Sequence, residues 1–276
     1  MNNDRLRSYF LYGVIIFLVL LVLVLGPYFV PGTNNWNSQE LGKFNHQQTN
    51  FTFLVFGDNR DSLGTFDELL QKMDNESALF GVDNGDLVSS GEKEQFSLFL
   101  EQLKRSKTPI LTTLGNHDLK AGSPKNYQAV FGPTYYSFTV DDSYFIILDS
   151  GDGSMDSAQI EWLKGELEKS KSYHYRFVFM HYPLYDPRGN MTGTGHALEN
   201  RELAHNLNQI FDDNNVTMIF TSHIHGFYQG TWGKTPFLLT GGAGAPLEYP
   251  DPNHNFYHYL KVSVSPENVD YQVVKV

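Results

Sequence analysis

Short apolar segments alternate with amphipathic stretches along most of the chain, and this alternation constrains the fold more than any other feature. Strands are predicted at residues 50–56, 78–82, 110–114 and 175–180. Between them, the apolar residues of 92–106 and 157–170 recur at helical spacing. Alternating strands and helices that give way to strand-rich stretches predict an α/β layered fold, with helices packed on sheets.

A long uncharged segment precedes this region. No charged residue occurs from Tyr9 to Val30, and an apolar stretch of this length is enough to cross a bilayer core of about 30 Å. A buried core helix would show polar positions at helical spacing, which this segment lacks. A cleaved signal peptide is the closer alternative, but its apolar core usually has only about 7–15 residues. We therefore predict a transmembrane anchor.

The charges that flank this segment predict its orientation. Arg5 and Arg7 precede it, whereas the next cation after it is Lys43. The positive-inside rule then places the N-terminus in the cytoplasm and the rest of the chain outside the membrane. The predicted organisation is a cytoplasmic tail at 1–8, an anchor at 9–30, a polar linker at 31–48 and a folded, extracytoplasmic domain at 49–276.

Charge and composition exclude several classes of function. The 276 residues include 20 Lys and Arg against 31 Asp and Glu, which gives a net charge of −11. Because an acidic chain cannot neutralise many phosphates, nucleic acid is not expected as the main partner. The absence of Cys excludes a disulfide framework, a cysteine zinc site and a thiol nucleophile.

Asp, Asn and His residues follow five of the predicted strands. Ligands of α/β sheets gather at the carboxyl ends of the strands, so these loops could converge. A single Gly-Asp after a strand is usually a turn, but the two rings of a His-x-His pair on an extended segment point to the same side. Together the loops offer oxygen and nitrogen ligands suited to Mn, Fe or Zn. These candidate metal ligands are Asp58, Asp86, Asn116, His181, His223 and His225.

The order of these motifs resembles that of the calcineurin-like metallophosphoesterase superfamily. The motifs read Gly57-Asp58, Gly85-Asp86, Gly115-Asn-His-Asp118, His181 and Ser222-His-Ile-His225. The resemblance extends from about residue 50 to at least residue 246. It implies a four-layer calcineurin-like fold, a central β-sandwich flanked by helices, which here would follow the transmembrane helix. It also implies two divalent or trivalent transition metal ions, Mn, Fe or Zn, as cofactors.

The resemblance further implies a role for each matching residue. Asp86 would bridge the two metals, Asp58 and His225 would hold the first, and Asn116, His181 and His223 would hold the second. His117 would lie over the phosphate, where it would stabilise charge or protonate the leaving oxygen. Two cations about 3.5–4 Å apart lower the pKa of a bridging water to near neutral, so that hydroxide can attack phosphorus in line.

Two positions depart from the pattern of the superfamily. Where most relatives have His two residues after the first Asp, this chain has Arg60, whose guanidinium has no lone pair to offer a metal. Two interpretations of Arg60 stay open: a forked contact with a substrate phosphate oxygen, or a surface ion pair with Asp61 or Asp67. Ser89 stands where many relatives have an Asp that orients the catalytic His, and Asp118 is the candidate replacement.

The sequence thus predicts a membrane-anchored, extracytoplasmic, metal-dependent phosphoesterase that hydrolyses phosphate mono- or diesters by attack of a metal-bridging hydroxide. The predicted catalytic residues are His117, Asp118 and Arg60. The substrate would be a phosphate ester of a small molecule, a lipid head group or a phosphoprotein. Two alternatives stay open: a pyrophosphatase or nucleotidase on the same scaffold, and a pseudoenzyme binding module weakened at the first metal site by Arg60.

Overall fold

The computed structural model describes residues 35–121, 124–189, 195–247 and 251–276. The helices in these ranges are α1 (Trp36–Leu41), α2 (Gly64–Met73), α3 (Lys93–Leu103), α4 (Lys125–Phe131), α5 (Ser157–Ser170) and α6 (Arg201–Asp213). The strands are β1 (Phe51–Phe56), β2 (Phe80–Asp83), β3 (Ile110–Thr112), β4 (Tyr136–Val140), β5 (Ser143–Ile147), β6 (Tyr175–Phe179), β7 (Met218–Thr221), β8 (Phe227–Trp232), β9 (Thr235–Thr240), β10 (His258–Val264) and β11 (Val269–Lys275).

Every helix in the described ranges is too short or too polar to cross a membrane. The predicted cytoplasmic tail at 1–8 and the predicted anchor at 9–30 lie outside the described residues.

The strands form two mixed sheets. The first has the order β11-β10-β1-β2-β3, in which β1, β2 and β3 are parallel and β10 runs antiparallel to β1. The second has the order β4-β5-β6-β7-β9-β8, with a parallel centre and antiparallel strands at both edges. Strands β4 and β5 form a hairpin whose turn contains Asp141 and Asp142.

Side chains of β1 point alternately into two hydrophobic layers, one on each face of the first sheet. The Phe53 ring faces the second sheet, and its centroid lies 5.5 Å from that of Phe145. The Phe56 ring faces the opposite way and lies 5.9 Å from Phe66 of α2. Successive side chains of a strand point to opposite faces, so one short strand packs against the second sheet and against a helix.

Helices cover the outer faces of both sheets. Helices α2, α3 and α4 pack on the first sheet. On the second sheet, α5 contributes Leu163 and Leu167, and α6 contributes Leu207 and Phe211. The layers therefore follow the order helix, sheet, sheet, helix, which confirms the predicted α/β fold with a central β-sandwich.

The predicted polar linker at 31–48 differs from the structure in its described part. Residues 36–41 form α1, where Trp36 Nε1 donates a hydrogen bond to the Ile110 carbonyl at 2.8 Å. Asn37 Oδ1 accepts from Thr112 N at 3.0 Å. These bonds satisfy backbone groups of β3, the edge strand of the first sheet. The polar composition of this segment led to the prediction of a linker. Composition alone does not show that a side-chain amide can pair with the open edge of a sheet.

The two sheets meet where their parallel strands end. Strands β1, β2 and β3 of the first sheet and β6 and β7 of the second lead into the five loops with the predicted ligands. Asn84 Nδ2, just after β2, donates to the Met180 carbonyl just after β6 at 3.1 Å. This bond brings loops from the two sheets to one edge of the sandwich.

Candidate metal centre

Left-handed backbone conformations position the two aspartates that follow β1 and β2. Asp58 has φ 61° and Asp86 has φ 58°, a region that costs a residue with a Cβ atom roughly 1–2 kcal/mol. Asp58 N donates to the Gly85 carbonyl, and Arg60 N donates to the Asp86 carbonyl, each at 3.0 Å. These bonds between the two loops hold the strained conformations in place.

Three acceptor atoms from three loops converge beside these aspartates. Asn116 Oδ1 lies 3.0 Å from His181 Nε2 and 2.9 Å from His223 Nδ1, and the two nitrogens are 3.3 Å apart. The second nitrogen of each ring donates to a backbone carbonyl, that of Asn84 for His181 and that of Gly195 for His223. The lone pairs therefore face the Asn116 oxygen, and a single metal ion would satisfy all three atoms.

The electrostatics of His223 suit a metal ligand. Burial, with the neighbouring His181, lowers the pKa of the His223 imidazole to about 3. A ring that stays neutral at physiological pH keeps the lone pair that a transition metal requires.

Asp86 lies between this cluster and Asp58. Its Oδ1 accepts from His117 N at 2.7 Å and lies 3.4 Å from His181 Nε2. One ligand atom each of Asp58, Asp86 and His181 lie within 4.8 Å of one another. Burial opposes ionisation of Asp86, but positive charge on His181 and His117, together with the hydrogen bond from His117 N, outweighs burial and lowers the pKa of this carboxyl. An ionised carboxylate in this position fits the bridging role that the sequence predicted.

A second group of acceptors faces the other side of Asp86. Asp58 Oδ2 accepts from Ser222 Oγ at 2.5 Å and from His223 N at 2.8 Å. Asp58 Oδ1 is buried, accepts no hydrogen bond within the described residues and lies 3.6 Å from His225 Nε2. Burial raises the pKa of Asp58 to about 7, and a cation beside Oδ1 would stabilise the charged form. Both groups of residues therefore fit a metal ion.

His117 is oriented by a backbone carbonyl. Its Nδ1 donates to the Ser89 carbonyl at 2.8 Å, and its Nε2 lies 3.9 Å from Asp86 Oδ2. The ring is buried, and burial lowers the pKa of its imidazole. Nε2 consequently lies on the side of Asp86, and Lys120 Nζ is 2.9 Å from it.

A family model described as calcineurin-like phosphoesterase matches residues 51–227, which include all six predicted metal ligands. The chain belongs to the calcineurin-like phosphoesterase family. This membership confirms the predicted phosphoesterase domain, a domain of hydrolases that act on phosphoric ester bonds.

Curated relatives of this phosphoesterase include two hydrolases. A probable cyclic nucleotide phosphodiesterase of Fibrobacter succinogenes is 28% identical over 149 residues, which are 52% of this chain and 56% of that protein. Purple acid phosphatase 13 of Arabidopsis thaliana is 26% identical over 217 residues, which are 63% of this chain and 38% of that protein. The chain therefore spans little more than half of the first relative and less than half of the second.

Solved structures share the fold of this phosphoesterase. The purple acid phosphatase PPD1 of yellow lupin (Lupinus luteus) has a TM-score of 0.67 at 16% identity, with 84% of this chain and 54% of that chain covered. A dimetal phosphatase from Danio rerio has a TM-score of 0.66 at 12% identity, with 82% and 96% covered. At these identities the similarity shows the fold alone.

The role predicted for Asp118 in this phosphoesterase is corrected by the structure. The Asp118 carboxylate is buried, and it accepts from Val88 N at 3.1 Å and from Gly115 N at 2.9 Å. It thus joins the loops after β2 and β3 instead of orienting His117, which the Ser89 carbonyl does. Neighbours in a 3₁₀ turn point in different directions, and proximity in sequence therefore misled the prediction.

The guanidinium of Arg60 lies inside the site. Its Nη1 is 3.3 Å from His225 Nε2. The alternative of a surface ion pair is not supported, because Asp61 accepts from Ser89 N and Asp67 pairs with Arg105. The phosphate contact predicted for Arg60 stays a prediction.

Sequence reasoning missed two side chains of the site. The Tyr182 ring stacks on that of His223 with centroids 3.9 Å apart, and Lys120 Nζ lies 2.8 and 2.9 Å from the two ring nitrogens of His117. Both residues directly follow a motif residue or lie within three positions of one. Their closeness in sequence to His181 and His117 is the feature that could have pointed to them.

Proposed function

We propose that this chain is a metal-dependent phosphoesterase that hydrolyses phosphate mono- or diesters at a dinuclear centre of Mn, Fe or Zn. One observation carries the proposal: Asn116 Oδ1, His181 Nε2 and His223 Nδ1 lie within 3.3 Å of one another, with their other polar partners already assigned. An amide oxygen and two imidazole nitrogens this close together, with the other nitrogen of each ring on a backbone carbonyl, form a set of ligand atoms that one metal ion would bind.

The two groups of acceptors would divide the metals between them. Asn116, His181 and His223 would hold one ion, Asp58 and His225 the other, and Asp86 would contact both. Ions at these positions would polarise the phosphoryl group and supply hydroxide at near-neutral pH.

The remaining chemistry belongs to His117. The hydrogen bond from Nδ1 to the Ser89 carbonyl fixes the tautomer and the direction of the ring. When the ring is also protonated at Nε2, this nitrogen would donate its proton to the leaving oxygen of the substrate, and the ring would return to the neutral form with its proton on Nδ1, which is the general-acid role. Asp118 has no part in this step, because its two oxygens are engaged by backbone amides.

We also propose that the enzyme is anchored in a membrane and acts outside the cytoplasm. The uncharged segment from Tyr9 to Val30 and the two arginines before it support this location. The test is protease treatment of intact cells that express the full chain. Loss of the domain without lysis is expected, whereas a domain that is protected until lysis, or recovered in the soluble fraction, would contradict the proposal.

The hydrolase is tested by metal reconstitution of the purified full chain. After chelation, Mn, Fe or Zn is added, and hydrolysis is measured with p-nitrophenyl phosphate, bis(p-nitrophenyl) phosphate, pyrophosphate, AMP and cyclic AMP. We expect metal-dependent turnover of at least one ester, with two metal ions per chain. His223→Ala should lose bound metal and turnover together, and the exposed His174 provides the matched control variant His174→Ala.

Different results would select the alternatives. Two bound metals without turnover of any substrate would favour a binding module over an enzyme. Turnover confined to pyrophosphate or AMP would assign the pyrophosphatase or nucleotidase alternative instead of the esterase.

A further inference from the structure

The backbone of Arg60 is held in a strained conformation next to both aspartates. Arg60 has φ 47° and Asp61 has φ 60°, and the left-handed region is unfavourable for residues with a Cβ atom. The Arg60 amide donates to the Asp86 carbonyl at 3.0 Å, and its carbonyl accepts from Ser89 Oγ at 3.1 Å. Hydrogen bonds on both sides of the residue therefore fix where its side chain starts.

From this anchor the guanidinium reaches His225. Nη1 of Arg60 lies 3.3 Å from Nε2 of His225, whose Nδ1 donates to the Pro246 carbonyl at 2.6 Å. Because Nδ1 carries the proton, Nε2 carries the lone pair. A guanidinium has donors only, so the contact is an Arg60 donor on the His225 lone pair.

The same lone pair is needed by the first metal. His225 Nε2 faces Asp58 Oδ1 at 3.6 Å, and these two atoms belong to the first metal site proposed above. One imidazole lone pair cannot accept a hydrogen bond from a guanidinium and bind a metal ion at the same time. A guanidinium and a metal ion on the same side of the ring would also repel each other, because both are positively charged.

We propose that Arg60 and the first metal ion are alternative partners of His225 Nε2, so that filling the first site displaces the guanidinium from His225. The inference rests on the proposed dinuclear centre and adds an order of loading to it. The second site fills first, because the lone pairs of His181 and His223 face Asn116 rather than a cation. Arg60 always carries its charge, so the competition persists at every physiological pH.

The displaced guanidinium can bind a phosphate group of the substrate. Its planar set of donors matches the oxygens of a phosphate group. A bound phosphate therefore stabilises the displaced position of Arg60, and by linkage it tightens the first metal site. Metal and substrate phosphate thus promote the binding of each other through one side chain.

Mn²⁺ binding to the purified full chain tests the competition, measured by titration calorimetry and by the EPR signal of coupled Mn ions. We expect one tight site and one site at least tenfold weaker. Arg60→Gln should tighten the weaker site about tenfold, the effect of removing one charged hydrogen bond, and leave the tight site unchanged. Arg60→His, which replaces the competitor with a ligand, should tighten it further.

Arg105→Gln is the matched control, since Arg105 is exposed and paired with Asp67. It should leave both binding constants as they are. If Arg60→Gln leaves the weaker site unchanged or weakens it, the competition is overturned, while two bound Mn ions in the wild type still support the dinuclear centre. A wild type that binds no Mn, Fe or Zn would remove the proposed function and this inference together.

Inorganic phosphate provides a second readout that does not depend on turnover. It should tighten the weaker Mn site more in the wild type than in Arg60→Gln, because only the wild type has a guanidinium to displace. Equal tightening in both proteins would show that Arg60 does not couple phosphate to the metal, and would overturn that part of the proposal.

Discussion

Three consecutive residues of this site have three separate tasks. Asn116 places its oxygen beside the imidazole nitrogens of His181 and His223. His117 holds Nε2 on the side of Asp86. The buried Asp118 accepts hydrogen bonds from backbone amides. The divergence arises where the chain enters a single 3₁₀ turn after β3. Roles in this motif are therefore set by local backbone direction as much as by residue type.

Separate substitutions of Asn116 and His117 should have different effects. Asn116→Ala removes a proposed metal ligand, so we expect lower metal content and, as a consequence, lower turnover. His117→Ala should keep its metals and lose about 10²–10⁴-fold in kcat, the usual contribution of a general acid. Metal analysis and steady-state kinetics on the same preparations measure both. Equal metal loss in the two variants would contradict this division of roles.

The six candidate metal ligands could be selected from the sequence because each is a polar side chain in a loop that follows a strand, and the structure brings these side chains close together. The groups that orient them could not. His117, His181 and His223 are held by the carbonyls of Ser89, Asn84 and Gly195. Every residue has a carbonyl, so no residue type marks these positions. The direction of Asp118 was missed for a related reason, since it depends on dihedral angles that the sequence does not state.

Among the helices, α5 agrees with its prediction at both ends. It was expected at 157–170 and spans Ser157–Ser170, with Leu163 and Leu167 buried against the second sheet. Apolar spacing and a capping aspartate define it locally. The short helices α1 and α4 were not predicted, because they depend on contacts distant in sequence, such as that of Asn37 with Thr112.

The N-cap of α5 offers a test at the level of one helix. Asp156 Oδ1 accepts from Gln159 N at 2.7 Å. Asp156→Ala should lower the free energy of unfolding by about 1 kcal/mol, the typical cost of losing a cap. Asp156→Asn keeps an oxygen in place and should change it by much less. Urea denaturation of the two variants measures the difference, and equal losses would show that the cap bond does not stabilise the helix.

At the scale of the molecule, the candidate site is formed by loops from both sheets of the sandwich. The first sheet supplies Asp58, Asp86 and Asn116, and the second supplies His181, His223 and His225. The distances between ligands therefore depend on how the sheets pack. Aromatic contacts fill that interface, for example Phe53 against Phe145 and against Phe220 at 5.5 and 5.7 Å. A rigid aromatic core keeps ligands from two sheets at fixed positions.

The stability of the whole domain should depend on pH through His258, at the start of β10. His258 is buried, Nδ1 donates to the Phe256 carbonyl, and Nε2 accepts from Thr240 Oγ1 at 3.0 Å. Burial, opposed by the bond to Phe256 and aided by nearby Lys275, lowers the pKa of this imidazole from 6.5 to about 4. Between these two pH values, His258 therefore binds a proton in the unfolded chain but not in the folded chain.

Stability is consequently lost as the pH falls from about 6.5 to about 4, and His258 adds no further change below that range. A shift of this size corresponds to roughly 3 kcal/mol. The free energy of unfolding of the wild type and of His258→Gln is measured by urea denaturation across this pH range. The difference between the two proteins should decrease by roughly 3 kcal/mol on acidification, because the variant lacks the titrating imidazole. The exposed His174 gives the control His174→Gln, which should follow the wild type. A difference between wild type and His258→Gln that stays constant with pH would exclude His258 as the group responsible.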